Sequence, residues 1–315
     1  MTNYPQPNDD SASLTNVRKR VESYLSARRS FIDKTLDERL PRERESDPAK
    51  PIASAMRMAC SGGKRFRSIL ALAAGETLGA KPEALEGLCV AVECFHSASI
   101  VFDDLPSMDD AVFRRGQAPL HRAFDESTAI LAANGLIMLA FESLVSHSPG
   151  ATSAVLVELV SDAAKTVGHG GMIEGQFIDL TKLRKKNPSR KSVEFVHEHK
   201  TGKLFEFAVR GAAHLANAND HDVTAVTRYA RNVGIAFQLG DDVLAVTRTR
   251  EELGKESRTD TGKSILSTPF DRAWAQGTID RLIGEAVSAV AHLGERASSL
   301  NDLALVIRDR ARADC

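Results

Sequence analysis

Residues 88–116 read LCVAVECFHSASIVFDDLPSMDDAVFRRG, an apolar run that passes directly into a cluster of charges. The first half, residues 88–102, is apolar on nearly every side of a helix, which predicts a helix buried at the centre of the protein. Four aspartates follow within eight residues, and two arginines come after them. Like charges at the end of a buried helix repel one another and are costly to desolvate, so the pattern needs a physical explanation.

The four aspartates are Asp103, Asp104, Asp109 and Asp110, and two explanations of them are open. A solvated helix end would leave the carboxylates in water, where the two following arginines would pair with them. Alternatively, the carboxylates bind Mg²⁺, a hard cation that takes oxygen ligands and commonly bridges a few carboxylates to the phosphates of a substrate. The arginines would then offer forked donors to phosphate oxygens.

A second apolar segment with helical periodicity, residues 222–246, also carries an aspartate pair, in FQLGDD. Gln238 lies three residues before Asp241 and four before Asp242, so the three side chains share one face of a helix. Helix bundles build metal sites from carboxylates on helices that face one another across the core. The second pair therefore favours a metal site over a solvated helix end.

A basic turn, SGGKRFRS, precedes another apolar helix. Lys64, Arg65 and Arg67 follow two glycines and stand at the predicted start of that helix. Backbone donors at a helix start combined with fixed cations bind anions, which makes the turn a candidate phosphate site. A basic turn on the surface is the alternative, and this segment alone does not exclude it.

Most of the remaining chain shows helical periodicity and very little of the two-residue alternation typical of half-buried strands. We therefore predict an all-α protein with a flexible N-terminal leader at residues 1–13 and a single domain over residues 14–315. Residues 247–269 are polar and interrupted by glycine, which predicts a loop. A last helical stretch is expected from residue 270 to about residue 310.

The composition of the 315 residues restricts the classes of function. The 41 basic and 42 acidic residues leave a net charge of −1, which argues against nucleic-acid or membrane-surface binding. The 4 cysteines show neither metal-ligand spacing nor a disulfide framework, which indicates a reducing compartment. We find no signal-peptide pattern and no uninterrupted apolar run of the roughly 18 residues that a membrane span needs. A soluble cytoplasmic protein is expected.

Several of these motifs, in this order, resemble the trans-isoprenyl diphosphate synthases, the polyprenyl synthetase family, from about residue 14 to the C-terminus. DDLPSMD followed by RRG resembles the first aspartate-rich motif of the family, and GGKRFR resembles its GGKRxR segment. FQLGDD resembles the start of its second aspartate-rich motif. GMIEGQFIDL and the pair Lys200 and Thr201 also match family positions. The first motif is most similar to that of bacterial geranylgeranyl diphosphate synthases.

The resemblance implies an isoprenoid-synthase-type helix bundle around a deep central cavity, usually assembled as a homodimer. It also implies Mg²⁺-dependent condensation of isopentenyl diphosphate with an allylic diphosphate, namely dimethylallyl, geranyl or farnesyl diphosphate. The charge pattern is consistent with this chemistry, because cations stabilise a departing diphosphate and an apolar cavity keeps water away from an allylic cation.

The family motifs also imply roles for individual residues of this chain. The residues implied to hold Mg²⁺, as three ions when substrate is bound, are Asp103, Asp104, Asp109, Asp241 and Asp242. Those implied to bind the allylic substrate are Arg114, Lys200, Thr201, Gln238 and Lys255. Those implied to bind the diphosphate of isopentenyl diphosphate are Lys64, Arg67, His96 and Arg115. Catalysis is expected to depend on Asp103, Asp104, Asp109, Lys200 and Asp241, whereas Asp110 falls outside the spacing of the motif.

Side chains of the central helix predict the length of the product. One helical turn rises about 5.4 Å, close to the reach of one isoprene unit. Ser99 and Ala98, four and five residues before Asp103, are small, and Phe95 stands one turn deeper. In the family, bulky aromatic side chains at the first level stop the chain at fifteen carbons. We therefore expect Phe95 to form the floor for a twenty-carbon product, with ordinary core packing of Phe95 as the alternative.

One position departs from the family pattern. The second motif reads DDVLA where the family has DDxxD, so Ala245 stands in place of the third aspartate. We expect weaker metal affinity rather than loss of chemistry, because Asp241 remains. The substitution leaves open a weakly active or non-catalytic subunit that regulates a partner synthase, and a farnesyl diphosphate synthase is a further alternative. A class I terpene synthase would not need the basic residues Lys64 and Arg67.

Overall fold

The computed structural model describes residues 11–114, 116–183, 189–247 and 272–312. The α-helices, in chain order, are α1 (Ser11–Arg39), α2 (Lys50–Cys60), α3 (Phe66–Thr77), α4 (Glu86–Asp104), α5 (Leu120–Ala123), α6 (Glu126–Ser146), α7 (Ser153–Val167), α8 (Met172–Ile178), α9 (Arg190–Val196), α10 (Lys203–Leu215), α11 (Asp220–Thr247), α12 (Arg272–Ala289) and α13 (Ser298–Arg312). Two short 3₁₀ segments, Pro82–Leu85 and Ala291–Ala297, and two π-helical turns, Asp179–Leu183 and His197–Gly202, connect some of them. None of the described residues forms a strand, which confirms the all-α prediction.

Helix α4 is the buried central helix that the sequence predicts. Its residues Leu88, Cys89, Val90, Ala91 and Val92 are all fully buried, because α1, α2, α3, α6 and α10 pack around it. A helix that is apolar on every side gains stability only when neighbours cover all of its faces. Consequently the carboxylates at its C-terminal end are carried by a helix that its neighbours hold on several sides.

Helix α11 carries the second aspartate pair. It packs against α10, α12 and α13 and contacts the π-helical turn His197–Gly202. Tyr229 of α11 is fully buried, and its hydroxyl donates a hydrogen bond to the backbone carbonyl of Leu300 in α13. Gln238, Asp241 and Asp242 lie near the C-terminal end of this long helix.

Two boundaries differ from the sequence-based expectations. The predicted helical stretch from residue 270 to about residue 310 is divided in two, because α12 ends at Ala289 and α13 begins only at Ser298. Gly294 lies between them with φ 61° and ψ −137°, a conformation that favours glycine and cannot continue a helix. Helix α1 begins at Ser11, inside the predicted leader. Most of the predicted loop at residues 247–269 lies outside the described residues.

Two helical segments of the described chain are long and apolar enough to cross a membrane by length and composition alone. They are Pro82–Asp104 and Glu126–Ser146, and 72% and 39% of their most apolar windows are buried inside the protein. Core helices of folded domains meet the same criterion, and the first segment contains the central helix. The exposed part of the second segment is apolar surface that faces outward from the bundle.

Candidate active site

The C-terminal end of α4 folds back on itself and brings acidic residues together. Asp103 and Asp104 are the last two residues of the helix. The backbone N–H of Asp109 donates to the carbonyl of Asp103 at 2.9 Å, and that of Ala111 donates to the carbonyl of Asp104 at 3.2 Å. These bonds satisfy carbonyl groups that a helix end otherwise leaves unpaired. They also hold Asp109 close to the end of α4.

Lys200 pairs with the first aspartate of this acidic turn. Its Nζ lies 3.2 Å from Oδ2 of Asp103 and 2.8 Å from Oδ2 of Asp179, in the π-helical turn after α8. Burial raises the pKa of Asp103 above its usual value, Lys200 acts against this rise, and the like charge of Asp109 adds to it. For Lys200 burial acts to lower the pKa, but Asp103 and Asp179 outweigh burial and raise it. Lys200 is therefore held in its charged form between two carboxylates.

Asp104 and Arg114 form a separate ion pair. Nε of Arg114 donates to Oδ1 of Asp104 at 2.9 Å and to Oδ2 at 3.2 Å, and a second guanidinium nitrogen also contacts Oδ1. The Asp104 side chain is only 4% exposed. The pairing of arginine with aspartate, one of the two readings of the sequence, is thus observed at Asp104. The role of Asp104 as a metal ligand stays a prediction.

The π-helical turn His197–Gly202 connects the acidic turn to α11. The hydroxyl of Thr201, next to Lys200, donates to Oε1 of Gln238 at 2.9 Å. The amide of Gln238 donates to Oδ1 of Asp242 at 3.1 Å. Nε2 of the buried His197 lies 3.0 Å from Oδ2 of Asp242. The two aspartate-bearing helices are therefore joined through neighbouring residues of one short turn.

A glycine allows this turn to pack closely against α8. A Cβ added at Gly175 would lie 2.4 Å from the backbone nitrogen of Lys200 and 2.9 Å from the carbonyl carbon of His199. Both contacts are with backbone atoms, which do not move aside as a flexible side chain does. The motif GMIEGQFIDL thus contributes a close helix contact at Gly175 and a carboxylate at Asp179.

The basic turn lies at the start of α3, as the sequence predicts. Gly62 and Gly63 have φ of 66° and 89°, and Arg65 has φ of 54°, so the turn passes through the left-handed region before the helix begins. Nη1 of Arg67 lies 3.3 Å from Nε2 of His96. Because a guanidinium can only donate, Nε2 of His96 accepts this hydrogen bond and its ring proton lies on Nδ1.

The guanidinium of Arg67 also lies 4.8 Å from the centre of the Phe205 ring, in a cation–π contact. Phe205 belongs to an aromatic group with Phe66 and Phe237, and the rings of Phe66 and Phe237 stack at 5.4 Å. The structure therefore brings together Arg67 and His96, two of the residues that the resemblance assigns to isopentenyl diphosphate. Lys64 lines a cavity of about 380 Å³ together with Phe66, Phe237 and residues of α1 and α13.

Arg65 has a structural role that the sequence did not indicate. It is 6% exposed, and its guanidinium contacts Asp33 at 2.8 Å, Glu93 of α4 at 3.1 Å and the carbonyl of Cys60. Ser68 donates to the other oxygen of Glu93 at 2.7 Å. Breaking such a buried pair leaves an uncompensated charge, so it fixes the basic turn relative to α1 and α4.

The residues proposed to set product length are placed in the core around α4. Phe95 is 2% exposed, and its ring lies edge-on to Phe141 at 5.3 Å and to Phe207 at 6.2 Å. Ala98 is 1% exposed, and the hydroxyl of Ser99 donates to the backbone carbonyl of His96. Neighbouring aromatic rings thus hold Phe95, which gives the predicted floor a fixed position.

Several predicted residues lie outside the described part of the chain or apart from the contacts above. Arg115, Lys255 and the side chain of Ala245 are outside the described residues. Asp241 is half-buried beside Asp242. Asp110 is exposed, has φ of 45° and pairs with Arg122 at 3.2 Å, which agrees with its place outside the motif.

The sequence analysis assigned no role to three residues that the structure places at the site. They are Asp179, His197 and Glu93. Asp179 lies inside GMIEGQFIDL, a segment that matches the family, and His197 lies three residues before the matching pair Lys200 and Thr201. His197 also lies four residues before Thr201, a spacing that puts both on one helix face. Glu93, the one acidic residue within the apolar run of α4, was a visible exception to that pattern.

The donor set around the end of α4 fits a hard divalent cation. Asp103 and Asp109 offer carboxylate oxygens, which are the ligands Mg²⁺ takes in proteins. The raised pKa of Asp103 reflects burial together with a second negative charge nearby, and a bound cation offsets both effects. Asp241 and Asp242, near the C-terminal end of α11, offer carboxylate oxygens of the same kind.

Comparisons with known proteins give a consistent result. Residues 49–297 match the family model described as Polyprenyl synthetase. A dimethylallyltranstransferase of Fischerella ambigua is 35% identical over 94% of this chain and 85% of its own length. A geranylgeranyl diphosphate synthase of Cyanophora paradoxa is 33% identical over 91% of this chain and 96% of its own. The solved structure of a geranyltransferase from Legionella pneumophila superposes with a TM-score of 0.79 at 28% identity, covering 95% of this chain and 99% of that one. The resemblance seen in the motifs is confirmed.

We predict that Lys200→Met destabilises the protein by about 2 kcal/mol more than Lys203→Met, because only the first variant leaves two partly buried carboxylates without their cation. The two lysine side chains are matched in exposure, at 27% and 28%, and Lys203 pairs with one carboxylate among the described residues, that of Glu206 at 3.6 Å. Urea unfolding of both variants measures the difference.

The pH dependence of this difference is also predicted. As the pH falls through the raised pKa of Asp103, that carboxylate becomes neutral and no longer needs a cation. The gap between the two variants should therefore shrink in acid. An equal loss of stability in both variants, or a gap that widens in acid, would contradict the assigned role of Lys200.

Proposed function

Because the chain belongs to the polyprenyl synthetase family, a family of prenyltransferases, we propose that it condenses isopentenyl diphosphate with an allylic diphosphate to give geranylgeranyl diphosphate. The proposal includes dependence on Mg²⁺, with three ions bound when substrate is present. The observation that carries it is the contact of neighbouring residues Lys200 and Thr201 with both aspartate-bearing helices. One short turn thereby fixes the end of α4 and the end of α11 relative to each other.

The first chemical requirement is to stabilise a departing diphosphate. When the C–O bond of the allylic substrate breaks, its electron pair stays on the diphosphate, and fixed cations lower the barrier by stabilising that charge. Lys200 is held charged beside Asp103, and Arg114 is held beside Asp104. When bound, Mg²⁺ supplies Lewis-acid stabilisation of the same leaving group. The carboxylates of Asp103, Asp104, Asp109, Asp241 and Asp242 would hold it.

The second requirement is a place for the diphosphate of the other substrate. Arg67 is fixed by its contacts with His96 and with the ring of Phe205, so its guanidinium is oriented before any anion arrives. Fixing a donor in advance reduces the entropy lost on binding. A separate cationic group at the start of α3 supports a reaction between two diphosphates, whereas a terpene synthase would need only one such site.

The third requirement is exclusion of water from the allylic cation, since water would compete as a nucleophile. The interior beside α4 is formed by apolar side chains, among them Phe95, Ala98, Phe141 and Phe207. The new C–C bond forms from the double bond of isopentenyl diphosphate, after which a proton leaves. We propose that the departed diphosphate accepts this proton.

We predict that the purified chain with Mg²⁺ elongates allylic diphosphates, and that Asp103→Asn lowers kcat about a hundredfold through loss of a charge that binds the metal. Asp110→Asn is the matched control, since Asp110 is exposed and asparagine tolerates its φ of 45°. Its kcat should stay within about twofold. Radiolabelled isopentenyl diphosphate and product extraction give both rates.

The outcomes of this assay separate the alternatives. Failure of the unaltered chain to elongate any allylic diphosphate would favour a non-catalytic subunit that regulates a partner synthase. Equal activity of Asp103→Asn and the unaltered chain would contradict the assignment of the first motif. A product of fifteen carbons would identify a farnesyl diphosphate synthase.

Product length is predicted to depend on two positions of α4. Phe95→Ala removes the proposed floor and should shift the product beyond twenty carbons, because its ring is held in place by Phe141 and Phe207. Ala98→Phe places an aromatic ring about one turn nearer to Asp103 and should shorten the product. Chromatography of the dephosphorylated alcohols measures chain length. If both variants made a product of unchanged length, the side chains of α4 would not be what sets product length.

We also propose that the protein is a homodimer formed through α6 and α7. Leu131, Met138 and Val145 are 53%, 61% and 51% exposed and recur every seven residues, so they form one apolar stripe along α6. Val157 of α7 is 70% exposed. An apolar stripe of this length on a soluble domain is typical of an interface.

Met138→Glu is predicted to convert the dimer to a monomer of 34.1 kDa, as measured by light scattering. Ile173→Glu is the control, because Ile173 is equally exposed at 61% but belongs to α8. A charge placed in the middle of an apolar interface is desolvated without a partner, whereas the same charge on α8 remains in water. A monomeric unaltered protein, or a dimeric Met138→Glu variant, would contradict the proposal.

A further inference from the structure

A group of metal-ligating side chains lies at the opposite end of α11 from the aspartate motif. His221 and Asp222 belong to the first turn of α11, and His292 belongs to the 3₁₀ segment after α12. The distance along the helix from Asp222 to Asp242 is about 30 Å at the usual rise per residue. This group is therefore separate from the proposed active site.

The three side chains converge through one atom each. Nε2 of His292 lies 2.8 Å from Oδ1 of Asp222, and Nδ1 of His221 lies 3.6 Å from the same oxygen. All three ligand atoms lie within 4.8 Å of one another, and the two imidazole rings are 4.4 Å apart. With metal–ligand bonds of about 2.0–2.1 Å, a tetrahedral site has neighbouring ligand atoms about 3.3 Å apart. The distances from Oδ1 of Asp222 to the two imidazole nitrogens, 2.8 Å and 3.6 Å, lie on either side of that value.

Outer contacts already orient the carboxylate. The side-chain amide of Asn219 donates to Oδ2 of Asp222 at 3.1 Å, which leaves Oδ1 directed to the two histidines. The hydrogen bond from His292 lowers the pKa of Asp222, so this carboxylate is ionised at neutral pH. Outer partners of this kind hold metal ligands in place in known sites. The backbone N–H of Asp222 in turn donates to Oδ1 of Asn219 at 2.9 Å, so these two residues hold each other in place at the start of α11.

The position at a helix start raises an electrostatic objection. The N-terminus of α11 carries partial positive charge, which opposes a cation. Asp220 and Asp222 both lie in the first turn and supply two negative charges against it. Two neutral imidazoles and one carboxylate then bind the cation through ordinary coordination bonds.

We propose that His221, Asp222 and His292 form a site for a divalent transition cation of the Zn²⁺ type, which joins the first turn of α11 to the segment between α12 and α13. Imidazole ligands favour Zn²⁺, Co²⁺, Ni²⁺ or Cu²⁺ over Mg²⁺, which prefers oxygen. The cation takes the place of the hydrogen between His292 and Asp222. That hydrogen moves to Nδ1 when the ring is neutral and leaves as H⁺ when the ring is charged.

Such a site would stabilise the helix that carries Gln238, Asp241 and Asp242 without entering the reaction. A ligand that binds only the folded state raises the unfolding midpoint by mass action. His221 is exposed, His292 is partly exposed and Asp222 is half-buried, so the site is open to ions from solution. Bound water completes the coordination in an open site.

The test uses the untagged full-length chain with Co²⁺ as a spectroscopic probe, in excess Mg²⁺ so that the aspartate motifs are occupied. The double variant His221→Gln with His292→Gln removes both imidazoles, and glutamine at position 292 can still donate to Asp222. His169→Gln is the control, because His169 is an exposed histidine between α7 and α8 and outside the group. Visible absorption of Co²⁺ and the unfolding midpoint with and without Zn²⁺ are recorded.

The unaltered chain and His169→Gln should show the absorption of imidazole-bound Co²⁺ and a higher unfolding midpoint with Zn²⁺. The double variant should bind Co²⁺ at least about tenfold more weakly, with no rise in midpoint, while its Mg²⁺-dependent activity stays within about twofold. Absorption of equal strength in the double variant would place the metal elsewhere and overturn the proposal. Absence of absorption in the unaltered chain would overturn it as well.

Discussion

The interaction on which the rest of the site depends is the ammonium of Lys200 held between Asp103 and Asp179. Burial disfavours the charges of Asp103 and Lys200, and the two carboxylates raise the pKa of Lys200 in spite of burial. The residue after it, Thr201, reaches Gln238 of α11. The position of one cation is therefore linked to both aspartate-bearing helices, and a displacement of this turn would separate the two halves of the site.

Close backbone packing makes that position possible. The π-helical turn approaches α8 so closely that Gly175 leaves no space for a Cβ. Near the middle of α4, the buried pair of Arg65 and Glu93 fixes the basic turn, so that Arg67 meets His96. Catalytic geometry requires side chains whose own supports are rigid. In this protein the supports are the close contact at Gly175 and the ion pair of Arg65 with Glu93.

Much of the fold followed from pattern alone. The apolar run of α4 predicted a central buried helix, and the aspartates after it predicted where the acidic turn lies. The helix boundaries near Gly294 were not predicted, because periodicity continues across the short 3₁₀ segment and a single glycine is a weak signal. Asp179 lay inside a recognised segment and His197 close to a recognised pair, but neither was singled out, since nothing local shows which carboxylate or imidazole turns inward.

By itself the sequence determined the all-α class, the family and the identity of the charged residues, because periodicity and motif spacing are local properties of the chain. Only the tertiary structure decided how those charges pair: Arg114 with Asp104, Lys200 with Asp103 and Asp179. Lys200 and Asp103 lie far apart in the chain, and Arg114 meets Asp104 only because the chain folds back after α4, so the partners depend on how the segments pack. The meeting of His221 and Asp222 with His292 has the same origin, since 70 residues separate Asp222 from His292 in the chain.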